Sequence, residues 1–147
     1  MLDTVLYSTS ATAFGGRDGR VATDDGQLDI RVTPPKELAG PGGATNPEQL
    51  FACGFAACFH SALQLVARRA KLDVTGSTVT AHVSLGKKTG EPGYLLAVGL
   101  VVELPALADD VARELVARAD AVCPYSNATR GNITVTHEVV AGTGASA

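Results

Sequence analysis

The segment that begins at Asn46 and runs to about Lys71 limits the possible folds more than any other part of the chain. Asn46 suits the N-cap of a helix, Pro47 suits the first helical position, and Gln49 has the spacing of a capping box. The interior of the segment is apolar on nearly every helical face, which predicts burial on most sides. At ~1.5 Å per residue the helix would be roughly 36 Å long, the width of a small domain. A single domain of 147 residues can hardly enclose it, so this helix favours a dimer.

The rest of the chain predicts strands around that helix and one further helix. Apolar and polar residues alternate in several short runs, which glycine- and proline-rich turns separate. With 46% apolar and 18% charged residues, the chain fits a single domain over residues 1–140, followed by a small, polar and flexible tail over residues 141–147. Strands are predicted over residues 5–9, 28–32, 78–85, 94–104 and 133–140, and a second helix over residues 106–122.

Composition argues against several classes of function. The net charge of −3 disfavours nucleic acid as a partner. No run reaches the ~18 consecutive apolar residues of a membrane span, and the closest, Tyr94 to Leu104, is too short, so no membrane association is expected. The N-terminus lacks the features of a secretion signal, which predicts a cytoplasmic protein. Three cysteines in that compartment indicate transient, catalytic or sensing chemistry. Without a CxxC and with three scattered histidines, no metal site is predicted.

Cys58 is the first candidate for chemistry. It lies in an apolar stretch of the predicted long helix, where a free cysteine usually is a small buried apolar residue. A reactive cysteine needs a pKa lowered from about 8.5, and Cys58 is about three turns from the helix start, too far for the helix dipole to lower it. A cationic side chain must therefore do so, and Arg17, in a glycine-rich turn, is the one that a loop could deliver. The ordinary alternative for Arg17 is a solvated turn residue.

Each of three further residues can be explained by an ordinary structural role as well as by a functional one. Cys123 directly precedes a proline, so it is predicted to lie where the second helix ends, and it could simply pack there. Glu48, in the first turn of the long helix, is ordinarily a carboxylate that the helix dipole favours. Cys53 is rotated by about 140° from Cys58 on the same helix and displaced by roughly 7.5 Å. That separation excludes a disulfide between them, and Cys53 is predicted to be a core residue.

Four stretches of sequence form a pattern that extends over most of the chain. They are GGRDG at residues 15–19, GPGG with TNPEQLF within residues 40–51, ACF at residues 57–59, and VCPYSNATRGNI at residues 122–133. The pattern resembles the organic hydroperoxide resistance (Ohr) branch of the Ohr/OsmC family, from about residue 3 to residue 140. The last stretch is similar to the Ohr branch rather than to OsmC. Cys53, Phe55 and His60 depart from the family pattern near the first cysteine.

The resemblance implies a fold and a set of site residues. The family fold is α+β, with antiparallel sheets around long central helices in an intertwined homodimer. By resemblance, Cys58 is the thiolate that attacks the peroxide, Cys123 is the resolving thiol that forms a disulfide with it, and Arg17 with Glu48 is the pair that polarises the site. Such a cysteine is oxidised to a sulfenic acid. A second thiol then condenses with the sulfenic acid to form a disulfide, before further oxidation can occur. The family's reductant is an external dithiol of the lipoyl type, for example on a lipoyl-bearing protein, and no cofactor is expected.

The residues around Cys58 also suggest a class of substrate. Phe51, Phe55, Phe59 and Leu63 can wall its surroundings with apolar surface. Such a pocket favours an organic hydroperoxide with a fatty or alkyl tail over hydrogen peroxide, by ~0.8 kcal/mol per buried methylene. The expected function is a cysteine-based organic hydroperoxide reductase in oxidative-stress defence. Two alternatives stay open, an OsmC-type osmotic-stress peroxidase and a redox-sensing protein without turnover, although no output element for a sensor is visible.

The spacing of Glu48 and Cys58 predicts a site that two subunits share. Ten residues on one helix separate their backbones by about 15 Å along the axis. Two side chains cannot cover that distance, so either the helix breaks near Gly54 or the Arg17–Glu48 pair reaches the cysteine of the partner chain. The length of the apolar helix favours the second alternative.

Overall fold

Two three-stranded sheets and one long helix account for most of the regular structure in residues 1–143, the part of the chain that this computed structural model describes. The predicted α+β class is therefore confirmed. The chain divides into two compact units, with the boundary between Leu50 and Phe51. The last four residues of the predicted tail lie outside the described part.

The first unit contains an antiparallel sheet in the order β1-β2-β3. Its strands are β1 (Ala11–Phe14), β2 (Gly19–Thr23) and β3 (Asp29–Val32). The strand predicted over residues 5–9 is wrong, because β2 already ends at Thr23, opposite Ala11, and offers the preceding residues no partner. The strand β2 was not predicted, since it occupies the short stretch between two turns.

The turn between β1 and β2 presents Arg17. Gly15 and Gly16 have φ values of 78° and 60°, in the left-handed region that residues with a side chain rarely adopt. The N–H of Asp18 donates to the carbonyl of Gly15 at 3.1 Å and closes the turn. Two glycines in this conformation let β1 reverse into β2 within four residues, with Arg17 at the tip.

Helix α1 (Pro47–Ala70) begins where the sequence predicted. The side-chain oxygen of Asn46 accepts the N–H of Gln49 at 2.9 Å, as an N-cap does. The Gln49 side chain accepts the hydroxyl of Thr45 at 2.9 Å. The helix is continuous over 24 residues, so it does not break near Gly54. It ends at Ala70, and the next residue, Lys71, has a φ of 57°, the left-handed conformation common just after helix C-termini.

The second unit, from Phe51 onward, contains a mixed sheet in the order β4-β5-β6. Strands β4 (Thr78–Lys87) and β5 (Tyr94–Leu104) form an antiparallel hairpin close to the predicted positions. Strand β6 (Val135–Ala141) pairs with β5 in parallel, so the expectation of purely antiparallel sheets does not extend to this strand. Helical segments between β5 and β6 return the chain to the same end of the sheet, as a parallel pairing requires.

Two helices, rather than one, connect β5 and β6. Helix α2 (Asp109–Val122) begins three residues later than predicted, and helix α3 (Pro124–Thr129) was not predicted. The start of the predicted tail is also wrong by one residue, because Ala141 belongs to β6.

The core of the second unit lies between α1, α2 and one face of β5. Alternate residues of β5 are buried from Val98 to Leu104, as in a strand with one face on a core. The fully buried side chains of this core include Phe55, Phe59 and Leu63 of α1, Leu100, Val102 and Leu104 of β5, and Leu115 of α2.

Helix α1 is long and apolar enough to cross a membrane by length and composition, and no other helix in residues 1–143 is. The sequence criterion did not identify this helix. It required an uninterrupted apolar run, whereas single residues such as His60 and Gln64 interrupt α1 without making it polar overall. One such helix is weak evidence of a span, because the core helix of a water-soluble protein passes the same test, and α1 supplies core residues here.

Candidate active site

Two cysteines that are 65 residues apart in sequence lie side by side in the second unit. Cys58 lies on α1, Cys123 lies between α2 and α3, and both carry free thiols. The thiol of Cys123 donates to the sulfur of Cys58 at 3.8 Å. A disulfide requires ~2.05 Å between the two sulfurs, so a small approach of the two side chains is enough to form one.

Cys123 is held at the junction of two helices. Its φ and ψ of −68° and 122° end α2, and Pro124 then opens α3. The N–H of Cys123 donates to the carbonyl of Ala119 at 2.9 Å, and its carbonyl accepts the N–H of Asn127 at 3.0 Å. The residue is completely buried. Its backbone is therefore the C-cap of one helix and the N-cap of the next.

Cys58 is only partly buried, and its surroundings oppose ionisation of the thiol. Burial raises the pKa of the Cys58 thiol, and the nearby Cys123 adds to that effect. The backbone N–H of Tyr125, in the first turn of α3, acts in the opposite direction and lowers it. A thiolate nucleophile needs a lower pKa than this, so activation requires a further cation or donor, the role predicted for Arg17.

Tyr125 is a site residue that the sequence analysis missed. Its ring packs against Phe51 and Phe55 of α1, with ring centres 6.0 and 5.6 Å apart. Gly54 gives the ring room, because a Cβ atom there would lie 2.8 Å from the Tyr125 hydroxyl and 3.2 Å from two ring carbons. The signal for this contact was a glycine interrupting an apolar helix, one turn before Cys58.

Arg17 and Glu48 form an ion pair within the first unit. The two terminal nitrogens of Arg17 donate to the two carboxylate oxygens of Glu48 at 2.8 and 2.5 Å. This is the parallel fork that a guanidinium and a carboxylate adopt. The hydrogen bonds from Arg17 lower the pKa of Glu48, although burial opposes them. The carboxylate is thus ionised at neutral pH and fixes the guanidinium at the tip of the β1–β2 turn.

The four predicted pocket residues differ in their exposure. Phe55, Phe59 and Leu63 are completely buried and belong to the core of the second unit, whereas Phe51 is only partly buried. Of these four, Phe51 alone keeps surface that a bound molecule could touch in the single chain. A wall formed by all four residues stays a prediction.

Cys53 and His60 of α1 differ in their surroundings. Cys53 is exposed in the single chain, so its assignment to the core of this chain is wrong. It lies on the side of α1 that the second unit's own sheet and helices leave uncovered. His60, which departs from the family pattern, bonds through Nε2 to the hydroxyl of Ser77 at 3.0 Å.

Acidic, histidine and cysteine side chains do not gather into a metal site within residues 1–143. No group of three or more such side chains lies close enough to hold an ion there.

Comparison with known proteins identifies close relatives over nearly the whole chain. Residues 40–138 match the family described as OsmC-like protein. An organic hydroperoxide resistance protein of Xanthomonas axonopodis pv. citri is 47% identical over 134 residues, covering 90% of this chain and 93% of that protein. Organic hydroperoxide resistance protein OhrA of Bacillus subtilis is 48% identical over 139 residues, covering 91% and 96%. The crystal structure of an organic hydroperoxide resistance protein from Elizabethkingia anophelis has a TM-score of 0.90 at 45% identity, covering 96% of this chain and 100% of that chain.

Proposed function

The chain belongs to the OsmC-like protein family, in its organic hydroperoxide resistance branch, and we propose that it is a cysteine-based peroxidase that reduces organic hydroperoxides to alcohols. A role in hydroperoxide defence follows from the relatives. The assignment of Cys58 and Cys123 to the chemistry is our proposal. The observation that carries it is that the two sulfurs lie 3.8 Å apart although the two cysteines are separated by 65 residues in sequence.

In the first step the thiolate of Cys58 attacks one oxygen of the peroxide. A sulfur–oxygen bond forms, the oxygen–oxygen bond breaks, and the alkoxide leaves and takes up a proton to become the alcohol. The sulfur is thereby oxidised by two electrons to a sulfenic acid. Fixed positive charge lowers the energy of the developing alkoxide, and the Arg17 guanidinium, held by Glu48, is the group proposed for this.

In the second step the thiol of Cys123 attacks the sulfenic sulfur of Cys58. A disulfide forms and the hydroxyl leaves as water. Cys123 is buried beside Cys58, so this intramolecular reaction competes well with attack by a second peroxide. A dithiol of the lipoyl type, such as that of a lipoyl-bearing protein, is proposed to reduce the disulfide by thiol–disulfide exchange and to leave both cysteines as thiols.

Organic hydroperoxides are the proposed substrates because apolar surface lies next to Cys58. The rings of Phe51 and Tyr125 pack together at the N-terminal end of the cysteine's helix, and both keep exposed surface. Each methylene of an alkyl tail buried there would contribute ~0.8 kcal/mol to binding. Hydrogen peroxide gains nothing from such surface. We further propose that the chain functions in the cytoplasm as a homodimer.

The direct test is steady-state turnover with a reduced lipoyl compound as the dithiol. We expect consumption of tert-butyl or fatty-acid hydroperoxide to exceed that of hydrogen peroxide at equal concentration. Cys58→Ser should abolish turnover, whereas the matched variant Cys53→Ser, on the same helix, should keep it. Stoichiometric oxidation without turnover would instead favour a redox sensor, and full activity of Cys58→Ser would contradict the assignment of the nucleophile.

A further inference from the structure

The junction that carries Cys123 is tied together by one arginine that the mechanism above does not use. Arg130 follows α3 directly and reaches back to the last turn of α2. One terminal nitrogen donates to the backbone carbonyl of Asp120 at 2.8 Å and to its carboxylate at 2.9 Å. The other terminal nitrogen donates to the side chain of Asn127 in α3 at 2.5 Å. We call Asp120, Asn127 and Arg130 the brace.

The brace fixes the angle at which α3 leaves α2. The last carbonyls of a helix have no partner within it, and α2 has no basic residue in its own last turn. Arg130 supplies the missing donor from outside, on the far side of the bend. Because Cys123 is the single residue between the two helices, any change of their angle moves its side chain.

The carboxylate of the brace also connects α2 to the elements around Cys58. Its second oxygen lies 3.3 Å from Nε2 of His137 on β6. The ring of His137 packs on Phe59 with centres 5.5 Å apart, and Phe59 directly follows Cys58. Burial raises the pKa of the Asp120 carboxyl. The hydrogen bond from Arg130 and smaller electrostatic effects lower it by more, so its pKa lies below the usual range. The carboxylate therefore stays charged at neutral pH.

Stability alone does not explain this arrangement. The side chains of Arg130 and Asp120 are 50% and 29% exposed, and ion pairs with that exposure contribute little to the free energy of unfolding. Their effect on the geometry of the junction matters more, because one guanidinium spans both helices and donates to a carbonyl, a carboxylate and an amide oxygen.

We propose that Arg130 and Asp120 are positioning residues for the resolving step, which rests on the proposed function. They hold the sulfur of Cys123 3.8 Å from that of Cys58, so that the Cys58 sulfenic acid is converted to the disulfide before a second peroxide reaches it. In the resolving reaction the Cys123 thiol displaces water from the sulfenic sulfur. In the competing reaction a second hydroperoxide transfers an oxygen to that sulfur, giving a sulfinic acid and an alcohol.

The test separates the two steps in single-turnover experiments with tert-butyl hydroperoxide. In Arg130→Ala, disulfide closure should slow by about tenfold or more, as expected when reacting atoms are misplaced by a fraction of 1 Å. Peroxide reduction by Cys58 should change by less than about twofold, since the brace acts after it. The fraction of Cys58 found as sulfinic acid by mass spectrometry should rise with excess peroxide. Arg130→Lys should restore closure only in part, because lysine cannot span the three acceptors.

Arg113→Ala is the matched control. Arg113 also pairs with an aspartate of α2, Asp109, at 2.7 Å, but at the end of the helix remote from Cys123, so neither step should change. If Arg130→Ala does not fold, Asp120→Asn keeps the backbone acceptor and removes only the carboxylate charge, and it should show the same split. Closure at the native rate in the folded variants, or an equal slowing of both steps, overturns the inference. If the native chain itself forms no sulfenic acid at Cys58, the proposed function fails instead.

Discussion

At the scale of single residues, the two thiols have different surroundings. Cys123 is completely buried at a helix junction, and Cys58 is partly buried on α1. Burial raises the pKa of the Cys58 thiol, so only a small fraction of it is ionised at neutral pH without a further positive group. The proposed reactivity of Cys58 therefore requires a further positive group, and Arg17 is the proposed one.

Replacing Arg17 should change the pH dependence of the first step. Loss of the guanidinium removes the charge that stabilises the thiolate, so the pKa of Cys58 rises and the pH–rate profile of Arg17→Ala moves to higher pH. Each unit of that shift lowers the rate at neutral pH by about tenfold. Arg17→Lys should recover only part of the rate, because lysine cannot form the fork with Glu48. The measurement is the rate of peroxide reduction by Cys58 as a function of pH, from about pH 5 to about pH 9.

Arg20 provides a control for that experiment. It forms a similar fork with Asp29 in the same small sheet, so Arg20→Ala removes a comparable ion pair. Its profile should coincide with that of the native chain. An unchanged profile in Arg17→Ala, or an equal shift in both variants, would mean that a different group activates the thiol.

At the scale of elements, the packing of α3 on α1 depends on the absence of a side chain at Gly54. Alanine in place of glycine inside a helix ordinarily adds about 1 kcal/mol of stability. Here the new Cβ atom would lie 2.8 Å from the Tyr125 hydroxyl, so the ring must move and part of that gain is lost. We expect Gly54→Ala to stabilise the chain by about 1 kcal/mol only in a Tyr125→Ala background. Urea unfolding of the four variants of this cycle measures the coupling, and an equal gain in both backgrounds would show that the contact has no cost.

The elements that could be predicted from the sequence are those with local signals. The N-cap at Asn46 and the proline after it indicated the start of α1, and the glycine- and proline-rich turns separated the alternating runs that became strands such as β5. Strand β2 and the parallel pairing of β6 could not be predicted, because they depend on partners distant in sequence. Helix α3 is too short to show a helical period.

The same distinction holds for the candidate site. The family resemblance indicated Cys58, Cys123, Arg17 and Glu48, and the structure brings each cysteine and each charged residue to its expected neighbour. Tyr125 was missed because its contact with α1 exists only after α3 has folded back on that helix. The alternation of apolar residues at positions 5–9 suggested a strand, but alternation does not create a partner for it.

At the scale of the whole molecule, one side of α1 is left uncovered. Cys53, Ala57, Ser61 and Leu65 follow one another at intervals of one helical turn and are all exposed, and only 28% of the most apolar stretch of this helix is buried in the single chain. Exposed apolar surface of this kind marks an interface. The proposed homodimer would cover it.

A charge on that side of α1 should weaken the dimer. Ala57→Glu would place a carboxylate in an apolar interface, which costs several kcal/mol when it has no partner. The variant should therefore be monomeric at micromolar concentration by light scattering, whereas the native chain should be dimeric. Ala117→Glu is the matched control, since Ala117 is an exposed alanine of α2, and this variant should stay dimeric. A native chain that is monomeric under these conditions would contradict the dimer.

The most direct test of the central claim is to map the cysteines after the native chain has reacted with one equivalent of organic hydroperoxide. Free thiols are blocked with an alkylating agent, and the peptides are identified by mass spectrometry. We predict a disulfide between Cys58 and Cys123, an alkylated Cys53 and one equivalent of alcohol. In Cys123→Ser the same treatment should leave Cys58 as a sulfenic acid, or as a sulfinic acid when peroxide is in excess. Disulfides formed only through Cys53, or unmodified Cys58 and Cys123 after the peroxide has been consumed, would contradict the account.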